Sequence, residues 1–361
     1  MKTKLLFKAV YLLLIVPSIA LGNTALKGKI DKEKTIKKEF TVNKDALLKI
    51  KNSYGNLDIV TYDGNKISIE VTIKVNGNDE EKVQKKLDDI TVNFNATSSV
   101  VEAKTIFNND KKSWWDWGSK NNTSMEINYL VKLPITNSVD LNNDYGSINL
   151  DKLEGRANIN CDYGKITTKE LMAENNTLSF DYTNNCYFEY INSGKINADY
   201  SGFTVSKTKN LAINADYTKS SIEVAEDVAF NCDYGSINID NANNISGTGD
   251  YLTMRFGDIY KNLNITGDYG SLKIDQMTAN AGNINIQSDY LGITIGYHPD
   301  YHFNFDINIE YGSIRNTDGF EFTKQVKDSN KNYYKGYYGT ADASHLIQIN
   351  SDYGNVTFKK N

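Results

Sequence analysis

The sequence predicts an all-β chain, wound as a right-handed parallel β-solenoid of about 17–21-residue rungs with one short helix in an N-terminal insert. Three observations carry that prediction. A tripeptide of the Asp-Tyr-Gly type recurs along most of the 361 residues, apolar and polar residues alternate around each copy, and only one segment has helical spacing. The motif tyrosines are Tyr54, Tyr145, Tyr163, Tyr182, Tyr200, Tyr217, Tyr234, Tyr251, Tyr269, Tyr290, Tyr311 and Tyr353, half of the 24 tyrosines in the chain. From Tyr145 to Tyr311 they are spaced 17 to 21 residues apart.

Each copy reads as strand, turn, strand. In VAFNCDYGSINI (228–239) the apolar parity is carried by Val228, Phe230 and Cys232, and it resumes after the glycine turn at Ile237 and Ile239. Alternation of this kind marks a strand with one buried face. A unit this short cannot bury its own face, so repeats must stack. A left-handed hexapeptide helix wants an aliphatic residue with a small partner three times per turn, a pattern missing here. The handedness preference of parallel crossovers then selects the right-handed coil. At about 4.8 Å per strand, the coil from Tyr145 onward extends roughly 50 Å.

The slot two residues before the tyrosine is mostly small and apolar (Cys161, Phe180, Ala198, Ala215, Cys232, Gly249, Gly267, Ser288) and predicts a crowded inner corner. One residue further back, Asn160, Asn197, Asn214, Asn231, Thr248 and Thr266 predict an exposed ladder of amides and hydroxyls. Cys161 and Cys232 fall four rungs apart, about 19 Å at that spacing, beyond disulfide reach.

Residues 1–22 read as a secretory leader: MKTKLLFK is basic, and the apolar run Ala9 to Ala20 is too short to span a bilayer and ends in small residues near Gly22. The chain is therefore expected to be exported, to the periplasm, the cell surface or the medium. Residues 23–135 read as a first rung plus a strand and helix insert that covers the solenoid end, and 136–361 as the repeats, with an excursion at 316–345. In the insert, Asn78 and Glu81 have capping-box spacing, and Val83, Leu87 and Ile90 define one apolar face.

Composition narrows the function. With 3 Cys and 3 His, neither a disulfide scaffold nor a His-rich metal enzyme is expected. A net charge of −5 and only three arginines, Arg156, Arg255 and Arg315, count against nucleic acid. No serine-nucleophile elbow or phosphate loop is present.

The candidate residues form columns. Asp144, Asp162, Asp181, Asp199, Asp216, Asp233, Asp250, Asp268 and Asp289 read as Asx-type acceptors at the glycine corner, with a calcium spine as the alternative. No other cofactor is expected, and calcium lacks the Gly-rich repeat that supplies its six to eight oxygens. Tyr145, Tyr163, Tyr182, Tyr200, Tyr217, Tyr234, Tyr251, Tyr269 and Tyr290 share the parity of the buried residues and read as a structural corner stack, with an exposed aromatic stripe as the alternative. Trp114, Trp115 and Trp117 gather all 3 tryptophans in one polar stretch and read either as a recognition patch or as an end plug. Tyr333, Tyr334, Tyr337 and Tyr338 read as edge protection or a second binding patch. Arg255 and Lys273 share a slot on successive rungs, which leaves a polysaccharide-acting β-helix enzyme as the alternative class and a purely structural envelope spacer as a third.

These features together, from Tyr54-Gly55-Asn56-Leu57-Asp58-Ile59 through the Val-rich strand, the helix, Val131-Lys132-Leu133-Pro134 and the Asp-Tyr-Gly-Ser-Ile rungs, resemble the bacterial putative-adhesin family. That family carries a domain-of-unknown-function label and is related to the head GIN domain adhesins. The resemblance covers essentially the whole mature chain. It implies a right-handed β-helix at the cell envelope and an adhesive role, and it supplies no catalytic residues. Repetition is the separate argument for a non-enzymatic interaction module: a ladder of identical groups suits a repetitive ligand by multivalent contact, and the expected partner is a glycan, an envelope polymer or a protein.

Overall fold

A computed structural model describes residues 29–108 and 123–361. The expected leader at 1–22 and Trp114, Trp115 and Trp117 lie outside the described residues. Within them, one helix, Glu80–Asp89, accompanies 27 strands joined in a single, mostly parallel sheet network that does not close on itself. The pairing reproduces the motif spacing: Gly202 pairs with Lys219, Lys219 with Ser236 and Ser236 with Thr253, so each strand lies beside its own equivalent one copy on. Pairing lapses at Ser206 and Lys209, where strand Gly202–Asn214 bends. Phe203, Val205, Leu211 and Ile213 on its inner side are buried, each such side chain contributing about 1.5–3 kcal/mol on leaving water.

Long-range pairing makes the two ends. Strand Leu47–Ser53 pairs in parallel with Ser138–Asp144, so Tyr54 and Tyr145 are neighbours despite the long insert. The insert folds beside this junction. Strand Lys66–Gly77 runs antiparallel between Ile30–Thr41 and Ser124–Pro134, and Val100–Phe107 lies parallel to Leu47–Ser53 with Ile90–Ala96 on its outer side. The helix buries Val83 and Leu87, and Ile90 is buried at its C-cap. Its N-cap is Asp79, not Asn78: the Asp79 carboxylate accepts from Glu81 and Lys82 N–H at 3.1 and 3.3 Å, a cap typically worth about 1 kcal/mol. The edge strand Ile30–Thr41 carries alternating charges, with Lys37 paired to Glu70 and Lys32 to Glu80, which discourages edge-to-edge pairing.

At the other end, spatial order departs from chain order. Strand Leu346–Asp352 sits between Ile284–Asp289 and Phe303–Glu310, parallel to both. Val356–Lys360 likewise sits between Leu291–Tyr297 and Ile314–Arg315. The excursion is an antiparallel hairpin of Phe320–Lys327 and Lys331–Tyr338 laid against the outer side of Phe303–Glu310. Its assignment as a binding patch is corrected for two residues. Tyr334 and Tyr338 are only 3% and 6% exposed, because alternation along Lys331–Tyr338 turns them onto the core, where Tyr338 meets Tyr297, Phe303 and Phe320. Tyr333 and Tyr337 are half-buried, and the Tyr333 phenol donates to Asp306 Oδ2 at 3.3 Å. A bulge between Phe322 and Lys324 disrupts the outermost strand, a second device against edge pairing.

Candidate functional site

The most repetitive surface feature is the tyrosine column. In space it runs Tyr54, Tyr145, Tyr163, Tyr182, Tyr200, Tyr217, Tyr234, Tyr251, Tyr269, Tyr290, Tyr353, Tyr311. Neighbouring rings are stacked 4.6–5.3 Å apart and within 7° of parallel. From Tyr145 onward each ring is about half exposed, 45–52%. Buried parity does not hold at this position, and the backbone gives the reason: every tyrosine of the column has positive φ, +50° to +65°. A left-handed residue breaks the alternation and swings its side chain outward. It costs roughly 1–2 kcal/mol for an L-residue, against which the tyrosine N–H donates to the Asp carbonyl of the spatially next copy, as from Tyr217 to Asp233 at 3.0 Å, except that Tyr353 donates to Glu310 O and Tyr311 to Asn330 O.

The glycine that follows serves a different need. A Cβ on Gly146 would collide with the carbonyl oxygen of Gly55, and one on Gly164 with that of Gly146, so glycine permits close approach between copies. In three successive copies a hydroxyl takes this place. Thr183 N–H donates to Ser201 Oγ and Ser201 N–H to Thr218 Oγ1, each at 3.1 Å.

The aspartate column lies directly beside the rings. Its carboxylates accept backbone N–H groups, but from the aspartate of the next copy and not from their own corner. Asp181 N–H donates to Asp162 Oδ1 at 3.1 Å, and the same bond recurs from Asp199, Asp216, Asp233, Asp250, Asp268 and Asp289, each to the aspartate before it, at 2.8–3.1 Å. Charge-assisted bonds of this kind offset the repulsion along the column. The repulsion still registers. Burial, aided by the Asp162 and Asp199 carboxylates, raises the Asp181 pKa against the lowering effect of the Asp199 N–H. Asp352 is raised by burial, then by Glu310 and Asp289. Burial first, then neighbouring phenols and carboxylates, also raises Tyr163, Tyr269 and Tyr353. Among the described residues no group of three or more His, Cys, Asp or Glu side chains could hold a metal ion.

Two shallow grooves share this face. One of about 420 Å³ is lined by Asp162, Asp181, Asp199, Asp216 and the amides of Asn197 and Asn231. The other, about 760 Å³, is lined by Ala212 and Ala229 together with Arg156 and Lys195. The amide and hydroxyl column is knit in places, Thr248 to Asn231 at 2.8 Å and Asn197 to Ser179 at 3.3 Å. A second asparagine ladder escaped sequence reading. Asn244 Oδ1 accepts from Asn262 N–H, Asn262 Oδ1 from Asn283 N–H, and Asn283 Oδ1 from Leu346 N–H, at 3.2, 2.9 and 2.9 Å. Its signal was an asparagine immediately before a buried aliphatic residue: Asn244 before Ile245, Asn262 before Leu263 and Asn283 before Ile284.

Other candidates are separate. Arg255 and Lys273 are register partners on an exposed side, and Lys273 pairs with Asp275 at 2.5 Å. Two histidines four apart in the chain are not brought together on one ligand set: His298 Nδ1 accepts from Asp300 N–H, and His302 Nδ1 bonds Thr340 Oγ1. Cys161, Cys186 and Cys232 are buried and free. Burial pushes the Cys161 and Cys232 thiols up to about 12. Among the described residues no helix is long and apolar enough to cross a membrane.

No family model and no curated protein matches this chain. It is similar to solved bacterial structures described as putative adhesins. One from Parabacteroides distasonis has 12% identity and a TM-score of 0.34, covering 90% of this chain and 97% of its own. Another from Parabacteroides merdae has 13% identity and a TM-score of 0.30, covering 91% and 97%. A putative cell adhesion protein from Clostridium sporogenes has 12% identity and a TM-score of 0.18, covering 91% and 100%. At identities and TM-scores this low the likeness carries no argument about fold or ligand.

Proposed function

We propose that the chain is an exported, non-enzymatic, adhesin-like module: a right-handed β-solenoid with rungs of 17–21 residues that binds an extended glycan or envelope polymer along the tyrosine-bordered face. The observation that carries this reading is the side-by-side run of exposed phenols, carboxylates and amides, repeated at each strand. A polymer laid along such a face meets the same contact many times, and weak contacts held together gain avidity without any single strong site. Stacking covers the ring faces, so the stripe offers ring edges and hydroxyls, the donors and acceptors that suit sugar hydroxyls. The register of parallel equivalents supports the solenoid, and the crossover preference supports its hand.

The test is a glycan and envelope-polymer binding screen on residues 23–361, with and without calcium, followed by an assay for products. Saturable binding without turnover is expected. Replacing Tyr200, Tyr217 and Tyr234 together by Phe keeps the rings and removes three hydroxyls, and at about 0.5–1.5 kcal/mol per hydrogen bond affinity should fall roughly tenfold or more. Unchanged affinity would move the site off the stripe, and product formation would replace the module by an enzyme.

A further inference from the structure

We propose that the C-terminal segment, Leu346–Lys360, is an exchangeable strand, and that its slot between the copies at 284–297 and 303–315 also accepts the same segment from a second copy of the chain. The slot has two walls. Tyr290 N–H donates to Asp352 O and Tyr353 N–H to Glu310 O, at 2.7 and 2.8 Å, and Leu346 N–H reaches Asn283 Oδ1 at 2.9 Å. The Tyr353 ring lies between Tyr290 and Tyr311, 4.6 Å from each centroid. Ile347, Ile349, Val356 and Phe358 fill the interior beneath and are fully buried.

Every one of these contacts is made by the segment and the walls, and none by the residues that join the segment to the hairpin. A donor from another molecule therefore reproduces them all, the condition under which strand exchange costs little. The joining residues, 339–345, are exposed or half-exposed, and the bonds that exchange must release there are those from Asn304 N–H and Nδ2 to His345 O and Ala343 O and the one between Thr340 Oγ1 and His302 Nδ1. At about 3.3–3.6 Å per extended residue the joining residues reach some 25 Å, enough to leave the slot without disturbing the hairpin.

Order of synthesis opens the opportunity. The wall strands and the hairpin precede the segment in the chain, so during synthesis the strands at 284–297 present an open parallel edge before the molecule's own donor emerges, and the strands at 303–315 pair with the solenoid only through that donor. On refolding, own and foreign donors are present together, and the molecule's own segment competes with those of its neighbours for that edge. A short tether gives the intramolecular route an effective concentration of order 1 mM. Exchange is therefore rare in dilute solution and grows in proportion to chain concentration.

Ser288 and Ser351 report which route was taken. They are register partners whose hydroxyls lie 3.2 Å apart, buried inside the slot. In S288C/S351C, refolded in air, a filled slot closes a disulfide within one chain when the donor is its own and between chains when it is exchanged. The S351C single variant controls for Cys161, Cys186 and Cys232. The expected result is an interchain, thiol-reducible dimer that rises about tenfold for a tenfold rise in refolding concentration and is missing from the control. Intrachain closure alone at every concentration would overturn the proposal. Should the double variant fail to fold, the mass of the unmodified chain after the same refolding series decides: concentration-dependent dimer supports exchange, and monomer throughout refutes it.

Discussion

The tyrosine stripe and the aromatic plug at the C-terminal end are made from similar side chains under opposite constraints. In the stripe the rings are parallel and half exposed, at the separation of the strands that carry them. In the plug, Tyr297, Phe303, Phe320, Tyr338 and Phe358 are buried and meet mostly edge to face, as Tyr297 and Phe303 do at 87°. Backbone register dictates the first arrangement and space filling the second. Register repeats, so the stripe could be written as a motif. The plug is used once, and its residues come from strands far apart in the chain. Stability should depend on the plug far more than on any single stripe ring, whereas binding should depend on the stripe.

Three substitutions sharpen that contrast. Phe303→Ala empties the centre of the plug and should cost about 3–5 kcal/mol, read as a lower denaturation midpoint. A loss below about 1 kcal/mol would mean that the hairpin collapses to fill the space. Tyr217→Ala removes two ring stacks but keeps a left-handed residue, and should cost about 1–3 kcal/mol. Tyr217→Gly loses the same stacks while relieving the backbone, so it should be more stable than the alanine variant by about 1 kcal/mol. Equal midpoints for the two would show that the left-handed backbone carries no cost at this position.

The smallest effect is expected at Asp181. Its pKa is raised in the folded chain, so between the unfolded and folded values the native state holds more protons. Its contribution to stability then falls as pH rises through that window. Asp181→Asn keeps an oxygen to accept the Asp199 N–H, 3.0 Å away in the native chain, and removes the charge. The variant should exceed the parent in urea midpoint at pH 7, and the difference should vanish once the pH is below the ordinary carboxylate range. A variant less stable at pH 7 would show that the charge-assisted bond outweighs the repulsion.

Much of the fold was legible because the motif spacing and the strand register are the same quantity, as Gly202 to Lys219 to Ser236 shows. The inward column from Cys161 to Ser288 was legible too, since alternation assigns a face. The left-handed tyrosine was not. Local rules give positive φ to the glycine of Asp-Tyr-Gly, whereas contact between copies claims that glycine for close approach and leaves the turn to the tyrosine. The donor to each carboxylate was missed for the same reason: it belongs to the next copy, a partner that local sequence does not contain.

Sequence by itself determined the strand content, the spacing and the columns of Asp and Tyr, because these follow from local alternation repeated at a set interval. Only the tertiary structure decided which copies adjoin across the insert, and that Tyr353 stands between Tyr290 and Tyr311. It also decided that Tyr334 and Tyr338 close the core. Equivalent repeats offer nearly equivalent edges, so their spatial order is settled by contacts between copies, as where Leu346–Asp352 enters between Ile284–Asp289 and Phe303–Glu310, and repeat identity alone carries no such information.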